Sequence, residues 1–96
     1  MFIVSITFTS PITEVEKHLS AHLEYVKVQH ENNNFIAAGP KTPLTGVIIL
    51  SKLKIKEELE SIMFKDPYYI AGLADYQITE FIPSMTAVGF ENLKEI

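Results

Sequence analysis

Apolar and polar residues alternate from the first positions of the chain. Phe2, Val4, Ile6 and Phe8 fall on one face and Ile3, Ser5 and Thr7 on the other, the two-residue period of a strand with one wholly apolar side. Ser10-Pro11 then reads as a helix start, because serine caps exposed amides and proline suits the first helical position. Beyond it the period becomes three and four residues. Ile12, Val15, Leu19, Leu23 and Val26 form one stripe, and the spacing predicts a single helix from Pro11 to about Glu31, lying on the sheet. Glu31-Asn32-Asn33-Asn34 breaks that pattern. Phe35 to Ala38 reads as a short strand stopped by Gly39-Pro40, and Pro43 keeps Lys41 to Thr45 irregular. Gly46 to Leu50 is a continuous apolar run, which predicts a strand buried on both faces. A second amphipathic helix is expected over Lys54 to Lys65, with Ile55, Leu59, Ile62 and Met63 inward. Asp66-Pro67 ends it, since the residue before proline is pushed out of helical geometry. After one or two helical turns between Pro67 and Leu73, Asp75 to Ile82 alternates as the last strand, closed by Pro83.

The order strand, helix, strand, strand, helix, strand is that of a ferredoxin-like βαββαβ sandwich, an α+β fold with both helices on one face of a four-stranded antiparallel sheet. The other face is then bare. It would carry Ile3, Phe81 and part of the strand from Val47 to Leu50, a patch beyond what soluble monomers leave in water. Two sheets stacked face to face would cover it, so a homodimer is expected. The segment from Ser84 to Ile96 sets Met85, Val88, Phe90 and Leu93 among charges, and either reaches a neighbour or frays. Without repeats, low-complexity segments or linkers, residues 1–96 read as one domain, with a core of about 1–83 and a C-terminal tail of 84–96.

Composition narrows the possible functions. A chain of 96 residues builds one core with little depth for an enclosed site, so a pocket is expected to borrow walls from a partner. All eight basic residues are lysine, set against twelve acids for a net charge of −4. Lacking the guanidinium fork, and acidic overall, the chain is not expected to bind nucleic acid. The absence of cysteine removes disulfides, thiolate nucleophiles and thiolate metal sites. The first basic residue is Lys17, and no apolar run approaches the roughly 18 residues of a membrane span. A soluble, cytoplasmic protein without a membrane partner is expected.

Three histidines are the first candidates for proton transfer. At about 100° per residue from Ile12, Leu19 lies near 340° and Leu23 near 20°, while His22 lies near 280° and His18 near 240°. His22 therefore borders the buried stripe, either satisfied by a backbone carbonyl or free to act in catalysis. His30, at the helix end, suits the dipole there. His18 and His22 stand four apart, a spacing that can share a metal, but Leu19 occupies the place where a zinc-protease motif needs Glu and nothing positions a third ligand. No metal is expected. Of the two aspartates, Asp75 reads as a turn residue. Asp66 is either a turn cap or the carboxylate that fixes a histidine tautomer, since a helix C-terminus alone disfavours an acid. Ser5, Ser10 and Ser51 lie on no nucleophile elbow. Gly39-Pro40-Lys41 lacks the phosphate-loop pattern and reads as a tight turn that can bring backbone amides beside a ligand. Tyr68, Tyr69 and Tyr76 offer aromatic walls and phenols.

Several of these pieces occur in a familiar order: His22 within the run from His18 to Tyr25, Ala38-Gly39-Pro40 after a short strand, Thr45-Gly46-Val47, Asp66-Pro67-Tyr68, Ala71-Gly72-Leu73, and a last strand running into Phe81 and Pro83. Together, over about residues 1 to 86, they resemble the YciI-like (YCII-related) family of dimeric α/β-barrel proteins. The resemblance implies a subunit whose sheet packs on that of a second subunit, with a cleft beside a His-Asp pair. The family's His falls on His22 and its Asp on Asp66, and Gly39 and Pro40 match the turn beside the cleft. Tyr68 and Ser5 are the further expected ligand contacts. The activity implied is that of a small-molecule enzyme of lyase, hydrolase or isomerase type, needing no cofactor, in which His22 is the acid/base and Asp66 orients it. Its substrate would be small, and cyclic or aromatic. The alternatives are a non-catalytic ligand-binding or accessory module using the same cleft, and a structural dimer without ligand.

Overall fold

In a computed structural model, which describes residues 1–95, strands β1 (Phe2–Phe8), β2 (Phe35–Pro40), β3 (Gly46–Ser51) and β4 (Ala74–Glu80) form one antiparallel sheet in the order β2-β3-β1-β4. Helices α1 (Ile12–Glu16), α2 (Leu19–Glu31), α3 (Lys56–Met63) and α4 (Pro67–Ile70) complete the ferredoxin-like α+β fold. The alternation in β1 decides which face they cover: Phe2, Val4 and Ile6 are fully buried with Ile49 of β3, Leu59 and Met63 of α3 and Tyr68 of α4. Ile3, Ser5 and Thr7 point the other way. Register follows the same logic, with Ile3 opposite Leu50 and Thr79, and Ser5 opposite Ile48 and Gln77. At the start of β3 the strands approach so closely that a Cβ on Gly46 would lie 1.7 Å from the Ile6 carbonyl oxygen, so only glycine fits.

The expectations change at five places. The helix anticipated over Pro11 to Glu31 is two helices, broken at Lys17 and His18, and its inward residues are Val15 and His22, with Tyr25 and Val26 partly buried; Ile12, Leu19 and Leu23 are exposed. β2 does not stop at Ala38. It runs through Gly39 and Pro40, paired with Ile48 and Val47, because β2 is an edge strand and its last residue, Pro40, is tolerated there without an amide hydrogen. β3 is not buried on both faces: Val47 and Ile49 lie under the helices, whereas Ile48 and Leu50 are only partly covered on the bare face. Helix α3 is shorter than expected, with Ile55 extended at its N-cap and half exposed. β4 spans Ala74–Glu80, and Phe81 and Ile82 lie beyond it.

The two ends of the sheet differ. At the Phe8 end, β1 runs into α1 and β3 begins. At the Met1 end, the Met1 ammonium donates to the Phe81 carbonyl and the Phe81 amide to the Met1 carbonyl, and the chain then leaves the sheet as an arm ending in a 3-10 turn, Glu91–Glu95. Among the described residues no helix is long and apolar enough to cross a membrane.

Candidate functional site

The break between α1 and α2 places the first candidate side chain. The amides of Lys17 and His18 bond back three residues, to the carbonyls of Glu14 and Val15, and His18 takes φ −110°, ψ 5°. The helix restarts with the His22 amide on the His18 carbonyl. An unbroken 3.6-residue count therefore does not carry across Lys17 and His18, and the inward position goes to His22, which is 3% exposed.

Asp66 arrives from the other side. The amides of Lys65 and Asp66 bond back to Ile62 and Met63 in a tight turn after α3, and Pro67 holds Asp66 in an extended conformation, φ −61°, ψ 128°. That makes Asp66 the N-cap of α4, and its Oδ1 accepts the Tyr68 amide at 3.1 Å. The same oxygen accepts from Nδ1 of His22 at 2.8 Å. α4 ends at a left-handed Gly72 (φ 67°), as helix C-termini often do, and the chain turns into β4 with Tyr76 on the inward side. The Tyr76 hydroxyl donates to Oδ2 of Asp66 at 2.5 Å. A fully buried carboxylate thus has a donor on each oxygen, the arrangement that makes burial of its charge tolerable.

Electrostatics keeps the surrounding phenols neutral. Burial, then the hydrogen bond to Asp66 and its charge, push the Tyr76 phenol well above its ordinary value; burial and the Asp66 charge do the same for Tyr25 and Tyr68. The Tyr25 hydroxyl is spent on the Ile62 carbonyl at 2.7 Å. The Tyr68 ring stacks on the His22 imidazole, centroids 4.0 Å apart and planes within 10°. Because a carboxylate accepts, Nδ1 of His22 carries a proton, and in the neutral ring Nε2 has the free lone pair.

His22 and Tyr68 open onto a cavity of about 330 Å³ at the Phe8 end of the sheet. Its walls are Phe8, Val15, Val26 and Val47 within, Ile12, Leu19, Leu23 and Leu44 at the rim, and Ala38, Gly39 and Pro40 of β2. Besides His22 and the Tyr68 phenol, Glu16 is the one ionisable lining residue. An imidazole oriented by a carboxylate at the floor of an apolar cleft is an arrangement that can exchange a proton with a bound molecule.

The YCII-related domain model matches residues 1–82. The chain belongs to the YCII-related family. Solved structures that resemble it include 5-chloro-2-hydroxyhydroquinone dehydrochlorinase from Burkholderia phenoliruptrix AC1100, in complex with 2,5-dihydroxybenzoquinone, at 18% identity and a TM-score of 0.70, covering 84% of this chain and 93% of that one. No curated protein sequence matches.

In this YCII-related chain, the residues anticipated from sequence fall into two groups. His22, Asp66, Tyr68, Gly39 and Pro40 come together around one cleft. Ser5 does not: it sits on the bare face, opposite Ile48 and Gln77, and is not among the cavity walls. The turn imagined at Gly39-Pro40 is instead the end of an edge strand. His18 stands at the N-cap position of α2 without a side-chain bond to the helix, and among the described residues no group of three acids or imidazoles gathers to hold a metal. His30 bonds the Val26 carbonyl through Nδ1 at 2.9 Å, and Ser51 donates to the Asn34 carbonyl, both structural roles. Sequence reasoning missed Tyr76 as a partner of Asp66. The signal available was its place on the inward phase of β4, where a buried phenol needs an acceptor.

Proposed function

We propose that the protein is a small-molecule enzyme in which Nε2 of His22 removes and returns a proton on a ring-sized, mainly apolar substrate held in the cleft. The observation that carries this reading is the buried His22–Asp66 bond of 2.8 Å at the floor of an apolar cavity. Asp66 keeps the proton on Nδ1, leaves Nε2 basic, and stabilises the imidazolium formed when Nε2 accepts a proton. Tyr76 and the Tyr68 amide hold Asp66 in register. No step of this proton transfer calls on a cofactor. The dehydrochlorinase of similar fold binds a dihydroxybenzoquinone, which supports hydroxylated rings as the first compounds to try. Family membership and the bare face bearing Ile3, Ile48 and Leu50 support a homodimer as the working unit.

The test uses 2,5-dihydroxybenzoquinone and related hydroquinones in deuterated water. Ring ¹⁵N spectra of His22 are expected to show Nδ1 protonated and Nε2 bare, and bound ligand is expected to gain deuterium in the wild type but not in His22→Gln. A His22 ring protonated on Nε2 alone would sink the base role. Binding without deuterium uptake would favour the alternative, a ligand-binding module, which the predominantly apolar walls also suit.

A further inference from the structure

The C-terminal arm leaves its apolar side chains in water. Ile82, Met85 and Val88 are 80%, 88% and 94% exposed, and Phe90 is more than half exposed. Such a cluster in a soluble protein marks a contact surface. The arm is nonetheless shaped: the Phe90 amide closes a turn on the Ala87 carbonyl, Gly89 sits at φ 97°, the Gly89 amide is held by Glu91, and Val88 stands at the tip. A preformed turn carrying an apolar tip loses little entropy on docking. The family match covers residues 1–82, so nearly all of the arm lies outside the matched region.

A second apolar surface lacks a cover. Ile12, Leu19, Leu23 and Leu44 ring the mouth of the His22 cleft, each two-fifths exposed or more. The two surfaces lie at opposite ends of the sheet, the arm at the Met1 end and the cleft at the Phe8 end. Seven residues of β1 separate those ends, about 23 Å. In a two-fold dimer whose strands run antiparallel across the interface, the Met1 end of each copy lies beside the Phe8 end of the other. Between Phe81, tied to Met1, and the tip of the turn, the seven residues Ile82 to Val88 span up to about 25 Å when extended, enough to pass round the end of a facing sheet about 10 Å away.

We infer that the arm of one copy closes the His22 cleft of a second copy, Val88 and Phe90 packing on the rim formed by Leu19, Leu23 and Leu44, so that each site is completed in trans. This rests on the dimer proposed above and adds to it a residue-level contact. The occupant is a second copy of this chain because the arm and the rim are both apolar, both exposed, and placed at opposite ends of the sheet, as exchange across a two-fold with antiparallel strands requires.

The chain has no cysteine, so single cysteines report contacts cleanly. Val88→Cys and Leu23→Cys, both at exposed positions, are mixed as full-length proteins under glutathione buffer. The expected product is a Val88→Cys to Leu23→Cys linked heterodimer as the major species, lost when Phe90→Ser and Met85→Ser are added to the Val88→Cys chain. An intramolecular link in the double variant Val88→Cys/Leu23→Cys at high dilution would overturn the proposal, as would only homotypic links. Sedimentation separates the two readings. A monomer at all concentrations refutes both the dimer and the arm contact, whereas a dimer that gives no 88–23 link refutes the arm contact and leaves the dimer standing. Deuterium uptake at the His22 site tests the catalytic reading by itself.

Discussion

The floor and the rim of the cleft are built on opposite principles. At the floor, His22 and Asp66 are buried and Tyr76 partly so, all three bonded through the Asp66 carboxylate, and they come from α2, the α3–α4 turn and β4. At the rim, Ile12, Leu19, Leu23 and Leu44 are apolar and stand in water, as do Met85 and Val88 on the arm. A polar group left unpaired in a core costs more than an apolar group left in solvent, so the chain settles the floor by itself and can leave the rim to a partner. The buried polar network is complete within one copy, and the apolar rim is left open.

Breaking the floor should have the largest effect. Asp66→Ala strips the partner from His22, the cap from α4 and the acceptor from Tyr76 at once. Removal of one member of a buried network of this kind costs about 3–5 kcal/mol, measured as the loss in urea-unfolding free energy. Asp66→Asn keeps the shape and one acceptor oxygen and should cost less, while still disturbing the His22 tautomer in ring ¹⁵N spectra. If Asp66→Ala unfolds no more easily than the wild type, the floor is not the specified region that it is taken to be.

Tyr76→Phe comes next. It removes a single donor from a buried carboxylate, about 1.5–3 kcal/mol, with no change in ring packing against Tyr69. The same phenol sets a pH signature. Its folded value lies above the unfolded one, so its contribution is fully present below the unfolded value near 10 and is lost as pH climbs past that point. Tyr25 and Tyr68 act in the same direction. Unfolding midpoints should therefore fall between about pH 9 and pH 11, less steeply in Tyr76→Phe than in the wild type.

The floor and the rim were also unequally legible in the sequence. β1 and β4 show their inward faces because one side of each is buried and the other wet, so alternation survives in the residues. The break at Lys17 and His18 does not show, since neither is glycine nor proline; the stripe Ile12, Val15, Leu19, Leu23 and Val26 runs across it as if unbroken, yet of these five only Val15 is buried and Val26 partly so. Those residues were apolar for another reason, the cleft they surround. Asp66 was readable through the proline after it. Periodicity leaves His22 at a border and Asp66 as either a turn cap or a tautomer-fixing carboxylate, and it is the family resemblance that chooses the pair. Tyr76 could not be tied to Asp66 because their contact depends on how the α4 turn delivers β4, a tertiary fact with no local pattern.

The smallest effects are expected at the rim and the arm, and they sharpen the comparison most. Leu23→Ser and Val88→Ser remove exposed apolar side chains that touch little within one copy, so at dilution their unfolding free energies should stay within about 0.5 kcal/mol of the wild type. Raising the protein concentration should separate them. If a second copy covers these residues, wild-type stability climbs with concentration by mass action and that of the variants climbs less. Asp66→Ala should show the reverse, a large deficit at every concentration, because its partners all lie in its own chain. Urea titrations at low and high protein concentration measure both. Equal concentration dependence in Val88→Ser and the wild type would place the arm outside the interface and make the rim as self-contained as the floor.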